Sequence, residues 1–187
     1  GTAYAAQPFY DNSNPDLNAM ELYNLDYAEG VTFLDRTVQV FPDTRAGTVL
    51  GRAVYRFQNT SGQEQSISFG INPGYTISNV RANGVEVPFS VSDYQEYNEA
   101  KLEVAIPAEE QVELTLEYGG FPQESMPTMQ GGKELSREYL CLENSALSPR
   151  VMNVMPGEAG YPTEIEITLP DSMLAIPFGS SEAEVVA

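Results

Sequence analysis

Histidine and tryptophan are absent from this 187-residue sequence, and cysteine occurs once, as Cys141. Imidazole is the only side chain whose unperturbed pKa places its charge change near neutral pH. Protein zinc sites draw their three or four ligands mainly from histidine and cysteine. The composition therefore argues against a complete enzyme, and we predict no catalytic, cofactor-binding or metal-binding residue in this chain.

A single cysteine cannot form a disulfide within the chain, so the redox compartment stays open. Cys141 lies in an apolar, strand-like run, Tyr-Leu-Cys-Leu-Glu, without a histidine or lysine neighbour to lower its pKa. This setting favours a buried, inert thiol over a nucleophile.

Basic residues are scarce: 9 lysines and arginines stand against 27 acidic residues, for a net charge of -18. Binding to nucleic acid or to anionic lipid depends on basic side chains that replace counterions, so neither is an expected partner. The simpler interpretation of the acidity is solubility in a salty or cation-rich medium. A dedicated site for a cation or a basic partner is the alternative.

Long apolar runs are also missing, so the sequence predicts neither a membrane-spanning segment nor a signal peptide. It starts at Gly1 and stops within an apolar stretch, which is the pattern of a piece taken from a longer polypeptide. Hydrophobic residues make up 42%, with 11 tyrosines and 8 phenylalanines, too many for a disordered chain. A chain of this size can bury about 70% of its unfolded surface, so a real core is expected.

Residues 1–30 differ from the rest of the chain and form a predicted N-terminal extension. The sequence Asn14-Pro15-Asp16 supplies an N-cap, a proline at the first helical position and an early acid. We therefore predict one short helix near 15–24. The same stretch, from Asp11 to Asp16, offers hard oxygens that calcium accepts, although it lacks the glycine and distal glutamate of an EF-hand loop.

From Val31 onward the hydrophobic period is two, with turn residues about every 8–12 positions, which predicts an antiparallel β-sandwich over 31–187. The clearest alternating apolar sets are Val112, Leu114, Leu116 and Tyr118; Leu102, Val104 and Ile106; and Ile165, Ile167 and Leu169. Between them lie Glu113, Thr115, Glu117, Glu164, Glu166 and Thr168, predicted to face water. These carboxylates are interpreted as a solvated face rather than an acid–base pair.

Turn chemistry predicts the connections. Asn83-Gly84 between two short apolar runs indicates a type I′ hairpin, because that turn needs positive φ at both central residues. Residues 59–62, Asn-Thr-Ser-Gly, end a long predicted strand at 48–58, and 119–133 and 145–162 are predicted to be irregular. Glycine pairs at 119–120 and 131–132 lack the spacing of a phosphate loop. Tyr94, Tyr97, Met126 and Met129 are candidates for an adaptable contact surface, with packing as the plainer alternative.

Several segments, taken in order, resemble the N-terminal β-domain of the aminopeptidase N-like zinc metallopeptidases, including versions fused to bacterial permeases of the ABC type. The similar stretch of sequence runs from about Thr37 to Ser181. It comprises GTVLGRAVYRFQNTS at 47–61, FGINPG at 69–74, ISNVRANGVEVPF at 77–89, LTLEYGG at 114–120 and TLP at 168–170.

The resemblance implies a saddle-like β-sandwich that packs against a separate thermolysin-like catalytic domain. The family's zinc motif, His-Glu-x-x-His with a distant glutamate, would lie beyond Ala187, since this chain has no histidine. The family's N-terminal domain can also contribute a substrate-facing residue just before a Pro-Cys-x-Asp-x-Pro segment. That pattern is missing from the corresponding residues, 143–156, so no substrate-binding residue is carried over.

Three functions follow as hypotheses. The first is a non-catalytic, extracytoplasmic β-sandwich, cell-surface or membrane-tethered, that packs on an adjacent domain of the same polypeptide or on a partner protein. The second is a free-standing surface module that binds a carbohydrate or a protein through loops at one end of the sandwich. The third is an enzyme fragment whose active site a partner chain completes.

Overall fold

The computed structural model describes residues 2–7, 26–93, 99–123, 133–135, 140–142, 144–156, 162–168 and 182–186. Their strands are β1 Thr2–Gln7, β2 Val31–Asp43, β3 Thr48–Asn59, β4 Gln65–Ile71, β5 Tyr75–Ala82, β6 Val85–Glu86, β7 Phe89–Asp93, β8 Ala100–Ile106, β9 Gln111–Gly120, β10 Lys133–Leu135, β11 Leu140–Leu142, β12 Arg150–Val151, β13 Met155–Pro156, β14 Thr163–Thr168 and β15 Glu182–Val186. A 3-10 turn at Asn144–Ala146 is the one helical element in these ranges. The all-β prediction is confirmed.

Some sequence-based predictions fall outside the described residues. These are the helix at 15–24, the calcium candidate at 11–16, and Tyr94, Tyr97, Met126 and Met129. Strand β1 comes from the segment predicted to be an N-terminal extension, and it pairs with β14 and β15. The domain boundary at residue 30 stays a prediction.

Two sheets form the sandwich. The nine-stranded sheet has the order β15, β1, β14, β2, β3, β9, β5, β6, with β13 also paired to β2. The four-stranded sheet has the order β12, β4, β8, β7, and β10 pairs with β11 separately. Pairing is antiparallel except where β13 and β14 run parallel to β2. Sequence reasoning did not predict these two parallel pairings, because β14 alternates apolar and polar residues, a pattern typical of antiparallel sheets.

Alternation along the strands decides which side chains enter the core. On β9, Val112, Leu114, Leu116 and Tyr118 are buried while Glu113 and Glu117 are exposed, as predicted. Thr115 was predicted to face water, but it is buried. It lies opposite Arg81 of β5, between two glutamates of its own strand, and such long side chains can cover a short neighbour with their apolar stems.

The hairpin between β5 and β6 confirms the turn prediction. Asn83 has φ 49° and Gly84 has φ 79°, so both central residues have the positive φ that a type I′ turn needs. The Asn83 side chain holds the turn to β9, since its Oδ1 accepts a hydrogen bond from the Glu113 backbone N–H at 2.8 Å. The turn therefore fixes the register at one edge of the large sheet.

The core lies between the two sheets and is rich in aromatic rings. Tyr55 of β3 meets Phe69 of β4 edge to face, with ring centroids 5.0 Å apart, so this pair joins one sheet to the other. Phe33 of β2 lies 5.4 Å from Phe57 of β3. Aromatic pairs at these distances are worth about 0.5–1.5 kcal/mol beyond the area they bury.

Candidate functional site

The most unusual part of the interior is a stretch with little regular structure, residues 144–156, of which 145–154 are buried or half-buried and Met155 is exposed. Ser145, Ala146, Ser148 and Asn153 are all buried. Sequence reasoning predicted an irregular segment here, and the structure adds the short strands β12 and β13 and the burial. A buried backbone outside long sheets needs other partners for its polar groups.

Three tyrosine hydroxyls supply partners for this backbone. Tyr75 donates to the carbonyl oxygen of Ala146, Tyr118 to that of Leu147, and Tyr55 to that of Pro149. The tyrosines lie on β5, β9 and β3, which are neighbours in the large sheet. The segment from Ala146 to Pro149 therefore crosses three strands, and one tyrosine hydroxyl from each strand holds it by a hydrogen bond.

Two asparagines continue this network. The Asn153 side chain accepts from the Ser68 backbone N–H at 2.9 Å and donates to the carbonyl oxygens of Asp26 at 2.9 Å and Ser66 at 3.0 Å. Asn72 accepts from the backbone N–H groups of Gly74 and Gln123, each at 2.9 Å. Both amides hold loops to strand ends.

A buried arginine enters the core through a β-bulge. The register of β2 against β3 shifts between Phe33 and Asp35, so the residues that face inward change from odd to even numbers. Arg36 is consequently buried, and its Nη1 donates to the Ser148 hydroxyl at 3.0 Å. Thr163 lies opposite Arg36 on β14, and its hydroxyl is buried without a hydrogen-bond partner among the described residues.

An ion pair is buried where the segment joins the small sheet. Arg150 Nη2 lies 3.2 Å from Glu99 Oε2, and both side chains are buried. Gly70 of β4 makes room for the pair, because a Cβ there would lie 1.9 Å from Glu99 Oε2. Burial raises the pKa of Glu99 above its ordinary 4.5, and the charge and hydrogen bond of Arg150 offset that rise only in part.

The outer face of the large sheet is a ladder of opposite charges. Asp35, Arg56 and Glu113 are cross-strand neighbours on β2, β3 and β9, and the Arg56–Asp35 ion pair spans 3.2 Å. Partial burial raises the pKa of Asp35, Arg56 lowers it, and Glu164 and Glu113 raise it further. Exposed pairs of this kind contribute about 0–1 kcal/mol each, so the ladder sets surface charge more than stability.

One end of this face is apolar. Phe41 and Leu50 are cross-strand partners, and they are 46% and 66% exposed. Leu50 lies over Gly119 of β9, and Phe121, two residues further along, is 61% exposed. We call Phe41, Leu50 and Phe121, which lie at the same end of the adjacent strands β2, β3 and β9, the end patch. Large apolar side chains grouped on a surface mark an interaction site more often than isolated ones do.

Raising the pH is expected to unfold the chain through its buried phenols. Burial raises the pKa of Tyr75 and of Tyr118 well above the ordinary value of 10.0. A group whose pKa is higher in the folded state stabilises the fold below its unfolded pKa, and that contribution disappears as the pH rises further. The phenolate absorbance of these residues should therefore appear together with loss of the circular dichroism signal above pH 10.

Tyr118→Phe is the matched variant for that titration. It should remove one late-titrating phenol and cost about 1–3 kcal/mol, because the Leu147 carbonyl loses its donor. If every phenol ionises near pH 10 while the dichroism stays constant, the tyrosines are not buried donors.

Within the described ranges, no group of three or more acidic, cysteine or histidine side chains is placed to hold a metal ion. The same residues contain no helix long and apolar enough to cross a membrane. The buried polar groups described above hold residues 146–149 through hydrogen bonds to three carbonyl oxygens and to the Ser148 hydroxyl.

The fold defines the class: an all-β sandwich domain. No protein-family model and no curated protein matches the chain. Among solved structures, it is similar to an M1 zinc metallopeptidase from Deinococcus radiodurans, with TM-score 0.56, 17% identity, and coverage of 77% of this chain and 33% of that one. A two-domain M1 zinc metallopeptidase variant solved with L-arginine gives TM-score 0.52, 16% identity, and coverage of 78% and 34%.

These similarities confirm the predicted fold, which is that of an N-terminal domain of an aminopeptidase N-like protein. The chain spans about a third of the length of the solved structures it matches. The names of these structures include zinc, and this sequence contains no histidine.

Sequence reasoning missed the buried centre formed around residues 144–156. The phases of Val31 and Phe33 and of Val38 and Val40 differ by one residue, and that difference was the available signal for the bulge at Arg36. Nothing local marked the tyrosines as donors, because Tyr55 and Pro149 are 94 residues apart.

Proposed function

We propose that this chain is a non-catalytic β-sandwich domain that packs on an adjacent domain of the same polypeptide or on a partner protein. The end patch carries this proposal. Elsewhere the outer face of the large sheet bears cross-strand charges, whereas Phe41, Leu50 and Phe121 expose apolar surface that water does not solvate well. Burying such surface contributes about 25 cal/mol per Å² removed from water.

The proposal fits the composition and the fold comparison. Histidine is absent, and the buried Arg150 and Glu99 are already paired with each other. The similar solved structures are more than twice as long as this chain, so a domain of this fold has neighbours in those proteins. The comparisons do not favour a free-standing binding module.

An extracytoplasmic position is part of the proposal, and a permease of the ABC type is one polypeptide that would carry such a domain. The extracytoplasmic position is supported by the order of motifs from Thr37 to Ser181, on which the family resemblance rests. The acidic surface, with a net charge of -18, suits a medium rich in salt or cations.

Side-chain footprinting by hydroxyl radicals tests the packing. Oxidation of Phe41, Leu50 and Phe121 should be several-fold slower in the polypeptide isolated from its own cells than in the 187-residue chain alone, because a neighbour excludes solvent from them. Tyr27, which is exposed and is not part of the end patch, is the internal control and should oxidise equally in both. Equal rates for all four side chains would refute the proposal.

A variant separates packing from folding. Leu50→Glu should change the free energy of unfolding of the 187-residue chain by less than about 0.5 kcal/mol, as surface changes usually do. In the polypeptide isolated from its own cells, Leu50→Glu should restore fast oxidation of Phe41 and Phe121. Continued protection of both phenylalanines would mean that the end patch is not the contact.

A further inference from the structure

The edge formed by β7 has features that the proposed packing does not use. Among the strands that the structure describes, β7 pairs with β8 alone and ends the four-stranded sheet. All five of its residues are exposed. An edge strand presents unpaired backbone N–H and C=O groups on its free side, and natural edges are commonly protected by lysine, proline or a bulge. Pro88 precedes β7, but the strand contains no basic residue, and its register with β8 is regular.

The apolar side chains of β7 point toward the core layer without being covered by it. Phe89 pairs with Val104 and Val91 with Leu102, and residues directly opposite one another share a face. Val104 and Leu102 are buried, yet Phe89 is 40% exposed and Val91 is 50% exposed. On the inner face of the small sheet, the apolar side chains of β7 are therefore only partly covered by the rest of the sandwich.

The edge of the facing sheet has the same property. β6 ends the large sheet, and its Val85 pairs with the buried Ala82 of β5. Val85 is nevertheless 65% exposed. Both sheets thus leave apolar, core-side residues open along this side of the sandwich, where one further strand would continue the layer.

The negative charge of this chain favours a basic strand as the partner of β7. Glu86 of β6 is 72% exposed and pairs with Arg81 at 3.8 Å, Glu103 of β8 is 43% exposed, and Asp93 ends β7. Lys101 pairs with Glu103 at 3.0 Å, so these three acidic and two basic side chains leave one net negative charge at this side. A second copy would bring another net charge of -18 to the same place, whereas a basic strand would be attracted.

We infer that β7 accepts an extended segment of a separate partner protein, added as a fifth strand, with apolar residues at alternate positions and lysine or arginine between them. The apolar residues lie beside Phe89 and Val91 on the core side. On the other face, Ser90 is small and pairs with Glu103, which leaves the glutamate within reach of a long basic side chain. Main-chain hydrogen bonds supply affinity and alternate side chains supply specificity in this mode of recognition.

A labelled heptapeptide that alternates lysine with valine around a central phenylalanine is the probe, and fluorescence anisotropy with the 187-residue chain is the measurement. Binding should weaken by about tenfold or more in Val91→Lys, which places a charge on the apolar face. Gln111→Lys adds the same charge at an exposed position of β9 and should retain binding. The heptapeptide with glutamate in place of lysine should bind about tenfold more weakly.

Two further measurements keep the test decisive. If Val91→Lys loses its circular dichroism signal, the same probe methylated at every second amide replaces it, and it should fail to bind because its strand hydrogen bonds are gone. Hydrogen exchange at residues 89–93 should slow when the unmodified probe is added. Equal binding of the acidic and basic peptides, unchanged exchange, or a dimer of the parent chain that Val91→Lys dissociates would each overturn the inference.

Discussion

Replacing Leu114 by aspartate is expected to leave the purified chain unfolded. Leu114 is fully buried on β9, opposite Tyr55 of β3 and Ala82 of β5. Losing its packing costs about 2–5 kcal/mol, and burying a carboxyl group without partners costs several more. Domains of this kind are stable by about 5–15 kcal/mol, so the sum removes most or all of that margin. Thermal melting followed by circular dichroism is the measurement.

Two controls isolate the cause of this effect. Leu114→Met keeps the volume and should cost less than about 1.5 kcal/mol. Gln111→Asp adds the same charge at an exposed position of the same strand and should melt close to the parent. A cooperative melt of Leu114→Asp near the parent temperature would show that this face of β9 is not in the core.

Replacing Arg150 by methionine is expected to cost about 3–5 kcal/mol, because it leaves the Glu99 carboxylate buried without its partner. The double variant Arg150→Met with Glu99→Met should be more stable than Arg150→Met alone, since it removes the isolated charge as well. Chemical denaturation of the parent, both single variants and the double variant gives the coupling energy.

The same variants should differ in their dependence on pH. Glu99 has a folded-state pKa above its ordinary 4.5, so its contribution to stability is complete below that value and is lost as the pH rises through the folded pKa. Without Arg150 that pKa rises further, so Arg150→Met should lose more stability than the double variant between pH 4.5 and neutrality. Parallel pH profiles for the two variants would mean that Glu99 is solvated.

The parts of the fold that sequence predicted best are those fixed by neighbours along the chain. The alternation of Leu102, Val104 and Ile106 predicted a buried face on β8, and Asn83-Gly84 predicted a turn, because both signals depend on local geometry. Thr115 was wrongly predicted to be exposed, because its burial depends on the neighbouring strands, which place Val54 and Arg81 opposite it.

The buried centre depends on residues that are distant in sequence. Residues 144–156 contain prolines and no regular period, which indicates a surface loop when read alone. Residues 145–154 are nevertheless buried or half-buried, and Tyr55, Tyr75 and Tyr118 donate to three of their carbonyl groups. Likewise, Glu99 lies directly before an alternating strand and resembles any exposed acid until the fold brings it to Arg150.

We propose that this chain acts by packing on an adjacent domain of the same polypeptide or on a partner protein. The most direct test is an antibody raised against the 187-residue chain, used on fractionated cells to measure the size and membrane association of the native protein. We predict a membrane-associated band far larger than the chain itself. A soluble band of the same size as the 187-residue chain, unaccompanied by any partner, would contradict the account.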